Sequence, residues 1–234
     1  MAKKAPAHMT AGEQVAGVCF FVIYLLVLPF VTNPVFNLAE KLLKTDVSQA
    51  MRNTIYYYAL FAATVIIFHS YIGNTTRRFL DNLGSACRTA VVGLVALYGL
   101  NELIYRLTNV IMKNRTNLND TTISAQINDA PRVTLLIVVL LAPFVEEVLF
   151  RGLVFGCLKS KSRTVAYLLS CGLFALLHVW QFAVVHKDIT YFLLMVQYLV
   201  PGLVLAWAYD RSGTLWTSVA LHAAANALAV LAAG

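Results

Sequence analysis

Long apolar runs separated by short polar connections make up most of this chain. Several runs have the length, about 20 mostly apolar residues, that a helix needs to cross the hydrocarbon core of a bilayer. They lie near residues 15–31, 54–73, 89–107, 133–158, 164–182, 189–209 and 215–233. Residues 34–43 could add an amphipathic segment at the membrane interface. The pattern predicts an all-α, polytopic transmembrane helical bundle of about seven to eight spans.

The longest polar connection divides the chain into two parts. Residues 113–131 include the run Asn-Arg-Thr-Asn-Leu-Asn-Asp-Thr-Thr, which favours a loop. We therefore expect amino-terminal transmembrane helices in residues 1–112, a polar loop in 113–131 and a helical core in 132–234. The most unusual polar residues of the chain all fall in that core.

Composition supports the membrane prediction. Of the 234 residues, 59% are hydrophobic and 12% are charged, and the mean hydropathy is +0.71. Soluble domains carry about 25% charged residues, twice as many. The net charge of +7 comes from Lys and Arg in the connections, which favours contact with anionic membrane lipids and not with nucleic acid. The protein is expected in a membrane as a multi-pass protein, in the cell membrane if the source is prokaryotic.

The four cysteines show no CxxC spacing and fall within or beside apolar runs. A disulfide framework or a thiolate metal site is therefore not expected.

Two adjacent acids, Glu146 and Glu147, interrupt one of the most apolar stretches of the chain. A carboxylate at this depth is costly unless it is paired or faces a wet cavity, so it is a candidate for function. Because residues four apart share a helix face, Glu147 can pair with Arg151. Glu146 then points about 100° away and faces something else.

Three further polar side chains occur in later spans: His178, and the pair His222 and Asn226. The latter two share one helix face among alanines, which allow close packing of helices. Each of them alone is explained by a structural hydrogen bond. Together with Glu146 they suit hydrolysis, in which a desolvated carboxylate acts as general base on water and imidazole and amide groups stabilise an oxyanion.

These residues form three motifs that resemble a known family. Glu146-Glu147-x-x-x-Arg151, Phe174-x-x-x-His178 and His222-x-x-x-Asn226 follow in this order on successive spans. The set is similar to that of the CPBP or Abi family, which comprises the type II CAAX prenyl endopeptidases and bacteriocin-processing relatives. The resemblance covers roughly residues 133–229, so the part 132–234 is interpreted as the catalytic core.

The resemblance implies an intramembrane glutamate-dependent protease. Glu146 would be the general base on the attacking water with His178 as its partner, and His222 and Asn226 would stabilise the oxyanion. Glu147 and Arg151 would support the site. The substrate would be a prenylated CAAX carboxy terminus or a small precursor or leader peptide, and no cofactor is expected.

Several alternatives stay open at this stage. Zinc could be held by Glu146, His178 and His222, although the sequence contains no HExxH motif. A transporter is a second alternative because intramembrane acids also line ion paths, but Pro143 and Pro201-Gly202 do not occupy matching halves. A non-catalytic membrane regulator or bacteriocin-immunity protein is a third. Serine and aspartyl intramembrane proteases fit poorly, because the chain lacks GxSG and GxGD. The sequence does not indicate an oligomeric state.

Overall fold

The computed structural model describes residues 8–111 and 117–233 and is built from helices. Within these ranges we number nine helices. They are α1 (Ala11–Leu43), α2 (Gln49–Ile67), α3 (His69–Asp81), α4 (Leu83–Ile111), α5 (Leu118–Asp129), α6 (Pro131–Lys159), α7 (Arg163–His186), α8 (Ile189–Ser212) and α9 (Leu215–Ala233).

The membrane prediction is confirmed. Five helices of the described part, α1, α4, α6, α7 and α8, are long and apolar enough to cross a bilayer, and α2 with α3 makes a sixth candidate. The last helix, α9, is apolar over the shorter stretch Leu215–Leu231. The seven predicted spans therefore all correspond to helical segments, and the chain is a polytopic helical membrane protein.

The first helix is longer than predicted. Residues 34–43 do not form a separate interfacial segment, because α1 continues through Pro34 to Leu43. A wide π-helical turn at Ile23–Val27 precedes Pro29, and the Leu28 N–H bonds to the Ile23 carbonyl. Proline lacks an N–H and clashes with the preceding turn, so a wider turn lets the helix continue.

The predicted span at residues 54–73 is not one straight helix, because the chain bends by 82° between α2 and α3. The bend falls at Phe68, which is completely buried. The Tyr71 N–H, in the first turn of α3, donates to Glu13 Oε1 of α1 at 2.8 Å. Glu13 also forms a capping box with Thr10 at the start of α1. One carboxylate thus supports the first turns of two helices, where unsatisfied N–H groups favour negative charge.

The prediction of a loop at residues 113–131 is also wrong over most of its length. Residues 113–116 lie outside the described part of the chain, but Leu118–Asp129 is helix α5. Asn117, just before it, donates to Gln197 of α8 and accepts from the Tyr198 hydroxyl. The segment is polar because it packs on polar neighbours. Its composition is therefore the same as that of a loop, although it is a helix.

Helix α6 lies at the centre of the bundle. Two thirds (67%) of its most apolar window is buried, compared with 22–33% in the other four spans. Three of its residues, Val148, Leu149 and Phe150, are completely buried. The lack of a side chain at Gly152 permits close packing of Tyr71, whose ring would lie 2.8 Å from an added Cβ. The acids Glu146 and Glu147 are therefore carried by the most buried of the five candidate spans.

Candidate active site

The Glu147 carboxylate lies at the centre of a buried ionic network. Its Oε1 accepts from Arg151 Nη1 at 2.8 Å, and both side chains are completely buried. The same oxygen lies 3.0 Å from His222 Nδ1 of α9, and because a carboxylate accepts, that nitrogen carries the hydrogen. The pairing of Glu147 with Arg151 predicted from their spacing is present, and the link to His222, 75 residues away, adds a third member.

Arg151 extends this network to two more helices. Its Nη2 donates to the Gly202 carbonyl oxygen of α8 at 3.0 Å. Its guanidinium lies over the Phe174 ring of α7, 4.5 Å from the centroid, in a cation–π contact. Four helices, α6 to α9, are thus held together around one guanidinium.

Glu146 points away from this ion pair, as helical geometry predicts. The Glu146 Oε2 atom lies 3.9 Å from His222 Nε2, and Glu146 is 8% exposed. It contributes to the wall of a cavity of about 430 Å³. His222 therefore lies between the two acids, with one ring nitrogen directed at each.

His178 lines the same cavity as Glu146. Its Nδ1 lies 2.8 Å from the Phe174 carbonyl oxygen. A carbonyl can only accept, so Nδ1 carries the hydrogen and a neutral ring presents its lone pair at Nε2. The ring stacks on Tyr198 of α8, with centroids 4.4 Å apart and planes inclined by 20°. Backbone and aromatic contacts together fix the orientation of this imidazole.

Asn226 does not line the cavity and has a backbone partner. Its Nδ2 donates to the Val138 carbonyl oxygen of α6 at 2.9 Å. Val138 lies in a π-helical turn, Ile137–Leu141, in which the Ala142 N–H bonds to the Ile137 carbonyl and Pro143 has no N–H. The Val138 carbonyl is thereby left without a backbone donor. The Asn226 amide supplies one, and one of its two N–H groups is used in this way.

Sequence reasoning missed most of the cavity wall. Three tyrosines line it, Tyr24 of α1 and Tyr56 and Tyr57 of α2, and each is close enough to Glu146 for electrostatic interaction. Their helices were predicted, but tyrosines are common in membrane helices and carried no distinguishing pattern. The helical spacing of the polar residues of α2 was the one available signal.

The zinc alternative receives no support from the arrangement of ligands. Nowhere in the described residues do three His, Cys, Asp or Glu side chains form a group that could hold a metal ion. Glu146 and His222 approach each other, but His222 Nδ1 is already bonded to Glu147.

Comparison with known proteins identifies the same part of the chain. Residues 128–228 match the family model described as "Type II CAAX prenyl endopeptidase Rce1-like". This segment contains all seven residues named in the three motifs, so the resemblance predicted from them is confirmed.

One relative is the UPF0177 protein YxdF of Lactococcus lactis subsp. lactis (strain IL1403). It is 32% identical over 87 residues, which is 37% of this chain and 42% of that protein. The match thus spans about two fifths of the relative's length. No solved structure matches the chain.

Proposed function

We propose that this protein is an intramembrane endopeptidase that hydrolyses a peptide bond in a membrane-associated substrate by means of glutamate-activated water. One observation carries the proposal: Glu146, a buried carboxylate that takes no part in the Glu147–Arg151 ion pair, shares a cavity with His178. The match of residues 128–228 to a family of endopeptidases supports the same reaction.

The two groups suit the activation of one water molecule. A water placed between them would donate one hydrogen to the Glu146 carboxylate and the other to His178 Nε2, whose lone pair is available because Nδ1 donates to Phe174. Its own lone pair would then point at the scissile carbonyl carbon. Glu146 would take the proton as the new C–O bond forms and transfer it to the leaving amine as the C–N bond breaks.

His222 is the nearest candidate for the oxyanion. Glu147 holds its Nδ1, which fixes the ring so that Nε2 faces Glu146 at 3.9 Å. A proton on Nε2 would give the cluster two positive charges, on His222 and Arg151, to balance the two carboxylates. The imidazolium N–H could then donate to the oxyanion of the tetrahedral intermediate.

The test is cleavage by the purified protein in lipid nanodiscs. Two substrate panels are used, prenylated CAAX peptides and unmodified precursor-like peptides, in water enriched in ¹⁸O. We expect one ¹⁸O atom in each new carboxy terminus, detected by mass spectrometry, and a loss of about 10²–10⁴-fold in rate for Glu146→Gln. The control is Glu102→Gln, which alters an exposed glutamate of α4.

Two results would count against this mechanism. Undiminished cleavage by Glu146→Gln would show that the carboxylate is not the base. Loss of wild-type cleavage in a chelator, with recovery on addition of Zn²⁺, would favour the zinc alternative, because a water activated by glutamate and histidine tolerates metal removal.

A further inference from the structure

The cavity in front of Glu146 is built mainly by the part of the chain that the family match does not cover. Thirteen of its eighteen lining residues precede residue 128: six belong to α1, five to α2 and two to α5. Only Glu146 and four residues of α7 come from the matched segment. The chemistry and the surroundings of the substrate are thus provided by different parts of the molecule.

Helix α2 presents one continuous polar stripe to this cavity. Its lining residues, Gln49, Arg52, Asn53, Tyr56 and Tyr57, recur at spacings of three and four and therefore share one face. From Gln49 to Tyr57 there are eight residue-to-residue steps, which correspond to about 12 Å of helix. An extended peptide advances about 3.3–3.6 Å per residue, so the stripe runs alongside about three to four substrate residues.

Many of the polar groups around the cavity have no hydrogen-bond partner within the described part of the chain. Six side chains form no hydrogen bond with the described residues: Tyr24, Asn33, Tyr56, Tyr57, Gln126 and Gln181. The most buried of these residues is Tyr24, which is 7% exposed and whose hydroxyl forms no hydrogen bond with the described residues. Polar groups that face a cavity can bond to water, and that bond can be exchanged for one to a ligand, so these side chains are available to whatever enters the cavity.

The chemistry of these groups matches a peptide and not an isoprenoid. Carboxamides and phenols supply both donors and acceptors, as the alternating N–H and C=O groups of an extended main chain require. An isoprenoid chain would cover them without offering a hydrogen bond, which is unfavourable. The lining cation, Arg52, is already paired with Glu40 at 2.6 Å, so charge on the substrate is not selected there.

We propose that this cavity is a subsite for three to four residues of an unlipidated peptide with uncharged polar side chains beside the scissile bond. Tyr24, Asn33, Gln126 and Gln181 hold its main chain and side chains by hydrogen bonds. The amino-terminal helices thereby determine which substrate reaches Glu146. The inference rests on the proposed function for the position of the bond that is cleaved.

Binding can be measured separately from cleavage. Glu146→Gln protein in phosphatidylcholine nanodiscs is immobilised and exposed to a random heptapeptide library blocked at both ends, and retained peptides are sequenced by mass spectrometry. A second arm uses the same library with a farnesylated cysteine. The test variant adds Asn33→Leu, Gln126→Met and Gln181→Met, which keep the approximate shapes. The matched control adds Asn101→Leu, at an exposed position of α4 that does not line the cavity.

We expect Ser, Thr, Asn and Gln to be enriched about tenfold over the input at three or four consecutive positions, without any need for the farnesyl group. The enrichment disappears in the triple variant and persists in the control. If the triple variant does not fold, Tyr24→Phe, which removes a single oxygen atom, is expected to reduce the enrichment.

Three outcomes would overturn the inference: no retention above empty nanodiscs, retention of farnesylated peptides alone, or identical peptides retained by wild-type and altered cavities. Failure of the proposed function gives a different result. Peptides would then be retained with the expected preference, but the protein with Glu146 restored would not cleave them. Cleavage without any polar preference would leave the hydrolase intact and refute the subsite.

Discussion

The buried network behind Glu146 and the amino-terminal wall of the cavity differ in how their polar groups are paired. In the network, the Glu147 carboxylate is bonded to Arg151 and His222 at 3.0 Å or less. On the amino-terminal side, Tyr24 and Asn33 have no hydrogen-bond partner among the described residues. Groups that are paired inside the protein are fixed before a ligand arrives. Groups that are unpaired are available to recognise one.

Burial explains why each member of the paired network depends on its partner. Removing one member of a completely buried ion pair leaves an uncompensated charge, which costs about 3–5 kcal/mol. An unpaired group that faces a wet cavity can bond to water, and that bond can be exchanged for one to a ligand. The following substitutions test this difference.

The largest effect is expected from Glu147→Ala. It leaves Arg151 buried without its counterion and should lower the free energy of unfolding by about 3–5 kcal/mol. Thermal unfolding in detergent measures the change. The double variant Glu147→Leu/Arg151→Met, which removes both charges, should recover much of the stability. A single variant as stable as wild type would contradict the pairing.

His178→Ala tests a fixed group that faces the cavity. We expect cleavage to fall by about 10²–10⁴-fold, because the water loses one of its two acceptors, while the protein stays folded. His186→Ala is the matched control: it lies on the same helix and makes the same bond, Nδ1 to a carbonyl four residues earlier, but is exposed. Equal loss of cleavage in both variants would point to a general effect on α7.

Asn226→Ala separates two roles of one amide. As an oxyanion donor it should lower kcat by about 10²–10³-fold without a corresponding change in KM. As the partner of the Val138 carbonyl it should lower the free energy of unfolding by about 1–3 kcal/mol. We expect both effects, measured as kcat per folded molecule and as thermal unfolding. A fall in substrate affinity alone would contradict the catalytic role.

The smallest effect is expected from Glu102→Gln. Glu102 and Arg106 have the same four-residue spacing as Glu147 and Arg151, but their side chains are 51% and 76% exposed. Exposed pairs of this kind contribute about 0.3–0.5 kcal/mol. Thermal unfolding should therefore be almost unchanged. A loss similar to that of Glu147→Ala would show that burial does not decide the strength of the pair.

Local patterns predicted the parts of this protein that depend on short stretches of sequence. Apolar runs identified the helical segments, and the spacing of Glu147 and Arg151 predicted their contact. The other features depend on contacts between residues distant in the chain. Glu13 meets Tyr71 over 58 residues, and His222 meets Glu147 over 75. No periodicity within one helix contains that information.

The helix at 118–129 was missed for a related reason. Its polar residues resemble those of a loop, and two of them, Thr122 and Gln126, line the cavity. Side chains that face a hydrated cavity inside a bundle have the same composition as side chains that face bulk water. Hydropathy alone cannot distinguish the two environments.

The position of both Glu147 and Arg151 on α6 has a consequence for biosynthesis. As this segment leaves the ribosome and enters the membrane, its acid and base can neutralise each other within a single turn, before any neighbouring helix has been made. His222 is translated about seventy residues later and reaches them only when α9 is inserted. The insertion of α9 thus completes the environment of Glu146, and a chain shortened before α9 would carry its acids without that imidazole.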